Sequence, residues 1–234
     1  MNACIILFGG SFRLGGQGNR NIGSSESYSE QIKAAQSHMS FIKDLNSKNV
    51  KVDVYISSYQ SRFQEDLAKV YETVLIGRDF YPQMMGQNNL IYSAMSKISN
   101  IGKYDFLLVM RVDMCLKSKF TEIFNHQWDK ILWPSICFKP HHKVGVHPRV
   151  NDAMLFIPRQ YYKYLQVICA TYGHNQWADL HGNTDLKYDD MDTMLNTFHD
   201  SDSAKDFNPI YYIVNRKECT TQATVNEYFD KWTI

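Results

Sequence analysis

Short apolar runs and helix-like segments alternate along this chain. Runs rich in apolar and β-branched residues predict strands at 3–8, 51–57, 72–76, 105–112, 130–136, 152–157 and 209–214. Helical spacing of apolar residues predicts helices at 26–47, 61–71, 86–99, 119–125, 159–171 and 190–199. Parallel strands need crossover connections, and these usually bring helices onto both faces of the sheet. The sequence therefore predicts an α/β fold with a mostly parallel central sheet.

Length and charge favour a single soluble domain. The 234 residues suffice for one large core, so we expect one domain over 1–234. A formal net charge of +1 provides no overall attraction to nucleic acid or to an anionic membrane. The five cysteines form no CxxC pair, which predicts reduced thiols in the cytoplasm. No run approaches the roughly 18 apolar residues of a transmembrane helix, so none is expected.

The first predicted strand ends in the segment FGGSFR, at the edge of the sheet where ligands of such folds bind. Gly9 and Gly10 would let a phosphate or a base approach the backbone closely. Arg13 could pair with phosphate. A tight strand-to-helix turn also needs glycine, so a purely structural turn fits the same residues.

The strand predicted at 105–112 ends in two charges, Arg111 and Asp113. Strand alternation puts both side chains on one side of the sheet. A carboxylate at this edge can bind a divalent cation, and an arginine can hold a diphosphate or orient the carboxylate. The alternative is a structural ion pair between the two residues.

Taken together, these segments resemble nucleotide-sugar glycosyltransferases of the GT-A fold, in particular small bacterial and viral surface-glycan transferases. The likeness rests on IILFGGSFR, VDVYISSY, YDFLLVMRVDMCL, and VNDAMLFIPRQYYKYL followed by DDMDTMLNTF. It implies a Rossmann-like GT-A fold with a nucleotide-binding half over about 1–115 and an acceptor-binding half over about 116–234. It also implies transfer of a hexosyl or pentosyl group from a nucleoside-diphosphate sugar, UDP-sugar favoured, to a glycan or glycoconjugate hydroxyl.

The resemblance also implies roles for residues at the strand ends. Nucleotide contacts would come from Gly9, Gly10, Ser11, Arg13, Ser57, Ser58, Tyr59 and Arg111. Arg111-x-Asp113 stands where the family carries an Asp-x-Asp metal motif. Asp113 would therefore bind Mn²⁺ or Mg²⁺ with fewer carboxylates than is usual, which weakens the metal site.

An acidic cluster, DDMD, precedes the helix predicted at 190–199. One of these acids is expected to cap the helix. Resemblance to inverting transferases implies that Asp190 is the general base, with Asp152 as the other candidate for the base or for a sugar contact. The acceptor or sugar would be bound by Asp152, Trp177, His181 and Asp189.

Two further functions fit parts of the pattern. Sugar-nucleotidyltransferases also begin with a Gly-Gly-x-x-x-Arg turn, and GGSFRL is close to it, but they carry a lysine soon after the arginine. Residues 14–20 (LGGQGNR) contain none. A non-catalytic sugar-binding module would keep the fold, yet it has no use for the acids at both 113 and 190.

Overall fold

The computed structural model describes residues 1–14, 21–116, 131, 143–144, 147–148, 154–171 and 211–213. The first half contains β1 (Asn2–Gly9), α1 (Tyr28–Ser47), β2 (Lys51–Tyr59), α2 (Gln64–Val70), β3 (Leu75–Tyr81), α3 (Gln87–Lys97), β4 (Phe106–Arg111) and β5 (Met114–Leu116). It is followed by β6 (Lys143–Val144), β7 (His147–Pro148), β8 (Met154–Pro158), α4 (Tyr162–Thr171) and β9 (Tyr211–Ile213).

A five-stranded sheet organises the molecule, with strand order β3-β2-β1-β4-β8. β1 pairs in parallel with both β2 and β4, and β2 pairs in parallel with β3. β8 runs antiparallel to β4. Two small antiparallel pairs, β5 with β9 and β6 with β7, lie outside this sheet. The predicted α/β class with a mostly parallel sheet is thus confirmed.

Helices cover both faces of the sheet because both faces of β1 are apolar. Cys4, Ile6 and Phe8 belong to a buried cluster with residues of α3 and α4. The alternate residues Ala3, Ile5 and Leu7 belong to a second cluster with residues of α1. The continuous apolar run of β1 is therefore explained by burial on two sides.

The third strand was predicted too early in the chain. The apolar run 72–76 predicted a strand there, but β3 begins at Leu75 and continues through the polar segment Gly77-Arg78-Asp79. β3 is an edge strand of the five-stranded sheet, so polar side chains such as Arg78 can face solvent. An apolar run therefore marks such a strand poorly.

Other elements agree with the predictions to within a few residues, apart from β5, β6 and β7, which were not predicted. The elements predicted at 119–125, 130–136 and 190–199 lie outside the described residues, except for Ile131.

Within the described part of the chain, every helix is too short or too polar to cross a membrane.

Candidate functional site

The strand order places a topological switch point between β1 and β4, which is where open α/β sheets have their ligand crevice. From β1 the chain passes through α1 to β2 on one side, whereas β4 lies on the other side of β1. The segments that leave β1 and β4 therefore diverge at the carboxyl edge, which is the usual ligand site of open α/β sheets. Gly9 pairs with Ser58 and Phe8 with Arg111 in the sheet register, so the predicted nucleotide contacts from three strands meet there.

The turn after β1 is held in an unusual conformation. Gly9 has a φ of +103°, which favours glycine, and a Cβ added there would meet no described atom within 4 Å. Phe12 has a φ of +52°, which is rare for an aromatic residue. Its buried ring lies 5.5 Å from the ring centroid of Tyr28 and 5.2 Å from that of Phe63. These contacts fix the turn, and among the described residues none fills the space beside Gly9.

The serine hydroxyls at this edge hold the backbone together. Ser58 Oγ donates to the Gly9 carbonyl at 2.6 Å, and Ser57 Oγ donates to the Leu90 carbonyl of α3 at 2.8 Å. Ser58 Oγ also lies 3.4 Å from Ser11 Oγ, and all three serines are fully buried. Tyr59 and Arg13 are buried as well. The serines therefore support the shape of the crevice, and their predicted nucleotide contacts remain predictions.

Arg111 and Asp113 form a two-pronged ion pair. Arg111 Nε donates to Asp113 Oδ1 at 2.8 Å, and Nη2 donates to Oδ2 at 2.5 Å. The Asp113 side chain is 1% exposed, whereas that of Arg111 is 14% exposed. The sequence left open a structural pair or a ligand site, and the pair is present. The Arg111 side chain is thus the more accessible member of the pair.

The described residues do not fit a divalent cation at Asp113. Both of its carboxylate oxygens already accept hydrogen bonds from Arg111, and a cation beside the guanidinium would be repelled. Within the described ranges, no group of three or more His, Cys, Asp or Glu side chains is placed to hold a metal.

Helix α1 supports the segment that follows β4 through polar side chains. Gln31 Nε2 donates to the Val112 carbonyl at 2.7 Å, and Leu116 N–H donates to Ser37 Oγ at 2.9 Å. His38 Nε2 lies 2.5 Å from the Met114 carbonyl. The segment 112–116 is thus bonded to α1 at three points.

His38 is a neutral, buried histidine. Because Nε2 faces a carbonyl, it must carry the proton, and Nδ1 then accepts from the Tyr71 hydroxyl at 2.6 Å. Burial lowers the pKa of His38 from 6.5 to about 4, although the bond to the Met114 carbonyl opposes this shift. Its role is to hold the backbone next to Asp113.

The burial of the polar residues Gln31 and His38 in α1 was not predicted from the sequence. The helical spacing of apolar residues in the segment 26–47 predicts a buried face made of Ile32, Ala35, Met39, Ile42 and Leu45. The buried face instead contains Gln31, Ala34, Ala35, His38, Phe41, Ile42 and Leu45, whereas Ile32 and Met39 are only partly buried. The buried stripe therefore includes Gln31 and His38, two polar residues seven positions apart.

The remaining predicted site residues lie outside the described part of the chain. They are Asp152, Trp177, His181, Asp189 and Asp190. Their roles as general base or sugar contacts stay predictions.

Comparison with known proteins gives distant structural likenesses. No protein-family model and no curated protein matches the chain. The catalytic domain of Drosophila β1,4-galactosyltransferase 7, in complex with xylobiose, matches with a TM-score of 0.38 and 14% identity over 70% of this chain and 52% of that one. A glycosyltransferase involved in glycosylation of the PBCV-1 major capsid matches with a TM-score of 0.39 and 9% identity, covering 74% of this chain and 68% of that one.

A putative glucose-1-phosphate thymidylyltransferase from Bacillus anthracis, in complex with sucrose, matches with a TM-score of 0.41 and 11% identity. The match covers 78% of this chain and 82% of that one. The chain spans about half the length of the Drosophila enzyme, 52%. The fold class and the position of the crevice are therefore inferred from the strand order and the contacts of this chain itself.

Replacing Arg111 by Met should destabilise the protein strongly. The buried Asp113 carboxylate would lose its partner, and breaking a buried pair in this way costs about 3–5 kcal/mol. Urea unfolding measures the loss. The double variant Arg111→Met/Asp113→Leu should recover most of it, because no buried charge is left unpaired.

As a control, Arg78→Met breaks an exposed pair with Glu65 and should cost less than about 1 kcal/mol. Equal losses in the two single variants would contradict the buried pair.

Stability should fall in mild acid partly because of His38. Its folded pKa of about 4 lies below its ordinary 6.5, so the unfolded chain binds the proton more readily between these values. The contribution is complete above pH 6.5 and is lost as the pH falls to about 4, amounting to about 3 kcal/mol. The non-titrating variant His38→Gln should show a correspondingly flatter pH dependence of unfolding free energy. Parallel curves for the two proteins would refute this assignment.

Proposed function

We propose that this chain is a GT-A glycosyltransferase that moves a sugar from a nucleoside-diphosphate sugar, UDP-sugar favoured, to a hydroxyl of a glycan or glycoconjugate. The observation that carries the proposal is the crevice between β1 and β4, where the open Gly9 turn lies beside the Arg111–Asp113 pair. Diphosphates are bound by closely approaching backbone and by guanidinium groups, and this edge places a glycine turn beside Arg111.

Arg111 is the residue proposed to meet the diphosphate. Asp113 holds the guanidinium in one orientation through two hydrogen bonds, which reduces the entropy lost when a ligand binds. A fixed positive charge stabilises the negative charge that develops on the departing diphosphate. Arginine suits this role because its planar guanidinium can donate to several oxygens at once.

The general base and the acceptor site rest on the sequence. Asp190 is proposed to take the proton from the acceptor hydroxyl in an inverting transfer, with Asp152 as the alternative base or as a sugar contact. Trp177, His181 and Asp189 are proposed to contact the sugar or acceptor.

The resemblance implies Mn²⁺ or Mg²⁺ at Asp113, which the paired arrangement of Asp113 and Arg111 does not fit. Binding there would require Asp113 to leave Arg111, because both carboxylate oxygens are engaged. No catalytic step is assigned to a metal. A comparison of activity with added Mn²⁺ and with EDTA decides whether one is needed.

The direct test is release of nucleoside diphosphate from UDP-, GDP- and dTDP-sugars, with and without Mn²⁺. A transferase slowly hydrolyses its own donor, so one of these sugars should yield its nucleoside diphosphate. Formation of pyrophosphate from a nucleoside triphosphate and a sugar phosphate would instead identify a nucleotidyltransferase, the function that the Gly-Gly turn with Arg13 also fits. If neither product forms and the protein still binds sugar, the protein is a binding module.

Asp190→Asn in the active protein should reduce turnover about a hundredfold or more, in line with loss of a general base. Donor affinity should change little, because the base contacts the acceptor. Asp152→Asn is the matched control, and its calorimetric donor affinity and turnover are measured alongside. If only Asp152→Asn loses turnover, Asp152 is the general base and Asp190 is not. Full activity in both variants, with the donor's anomeric configuration kept in the product, would reject the inverting mechanism.

A further inference from the structure

One buried amide connects the two segments that border the crevice. Gln31 lies in α1 and is fully buried. Its Oε1 accepts a hydrogen bond from the Phe12 backbone N–H at 3.0 Å, in the turn after β1. Its Nε2 donates to the Val112 carbonyl at 2.7 Å, between Arg111 and Asp113. A single side chain therefore bonds to both walls of the crevice.

Both partners of Gln31 need this contact. A buried polar group without a hydrogen bond is strongly disfavoured, and these two backbone groups lie just beyond the ends of β1 and β4, where sheet pairing stops. An amide offers a donor and an acceptor on one planar group, so it can satisfy an N–H and a carbonyl together. An apolar side chain could satisfy neither group, and a carboxylate could satisfy only the N–H of Phe12.

The groups that Gln31 contacts are fixed from the other side as well. Phe12 holds its left-handed conformation through its packing against Tyr28 and Phe63. Val112 N–H donates to the Phe8 carbonyl at 2.8 Å, which extends the β1–β4 pairing by one residue beyond Arg111. Gln31 thus joins two points that other contacts also hold, and its amide is a direct link between them.

We propose that Gln31 is a positioning residue that sets the width of the crevice by fixing the Gly9–Arg13 turn relative to the Arg111–Asp113 pair. The ligand, a nucleoside diphosphate, follows from the proposed function, but the mechanical coupling does not depend on it. Because Gln31 is buried behind both walls, it acts through the residues it holds. Loss of Gln31 should therefore weaken diphosphate binding, although Gln31 itself does not contact the diphosphate.

Hydrogen exchange tests the coupling without any ligand. In Gln31→Met, the amides of residues 9–13 and 111–113 should both exchange faster, because both hydrogen bonds are lost. In Gln31→Glu at pH 8, the carboxylate still accepts from Phe12 but cannot donate to Val112, so the increase should be larger at 111–113. Leu45→Ala, a buried change at the far end of α1, controls for general loss of stability.

Calorimetric titration of the same proteins with UDP and GDP tests the consequence for binding. For the nucleotide that the wild-type protein binds, Gln31→Met should raise the dissociation constant about tenfold, which corresponds to about 1.4 kcal/mol. Leu45→Ala should leave it within about twofold.

Exchange at both segments of Gln31→Met that matches the Leu45→Ala control would overturn the coupling, whatever the titrations show. Faster exchange with an unchanged dissociation constant would overturn the claim that the coupling sets the binding geometry. Wild-type protein that binds neither nucleotide would reject the nucleotide as ligand and count against the proposed function. The exchange data would still decide the coupling.

Discussion

The position of β1, parallel to both β2 and β4, determines the rest of the molecule. Parallel neighbours cannot be joined by hairpins, so each connection crosses a face of the sheet and covers it with a helix. Burial on both faces then requires the continuous apolar run from Ala3 to Phe8. Because β2 and β4 lie on opposite sides of β1, the chain must leave β1 and β4 in different directions. The crevice at the carboxyl edge is a consequence of that arrangement.

The edge of the sheet is kept in shape by polar contacts inside an otherwise apolar core. Asp113 is buried at an energetic cost, which the two hydrogen bonds from Arg111 offset. Gln31 and His38 place amide and imidazole groups against the backbone carbonyls of Val112 and Met114. Such groups are stable only with their partners in place, so they favour one arrangement of the crevice walls. A rigid site of this kind suits a ligand bound through its charge and shape.

Much of the fold could be predicted because β1 and β4 are apolar runs buried on both sides and β2 is rich in buried β-branched residues. β3 was misplaced because an edge strand can expose polar residues such as Arg78. The Arg111–Asp113 contact was one of two alternatives, since local spacing cannot distinguish a pair from a ligand site. Gln31 was missed because its partner Val112 lies 81 residues away, and no local pattern encodes that contact. Ser57 and Ser58 were predicted as nucleotide contacts, but a sequence cannot show that their hydroxyls bond to backbone carbonyls.

The central claim is that a nucleoside diphosphate binds between the ends of β1 and β4. A crystal structure of the protein grown with UDP tests it most directly. We predict diphosphate density within hydrogen-bonding distance of the Arg111 guanidinium and in contact with Gly9, on the open side of the turn. Clear nucleotide density elsewhere on the surface, with the crevice between β1 and β4 unoccupied, would contradict the claim.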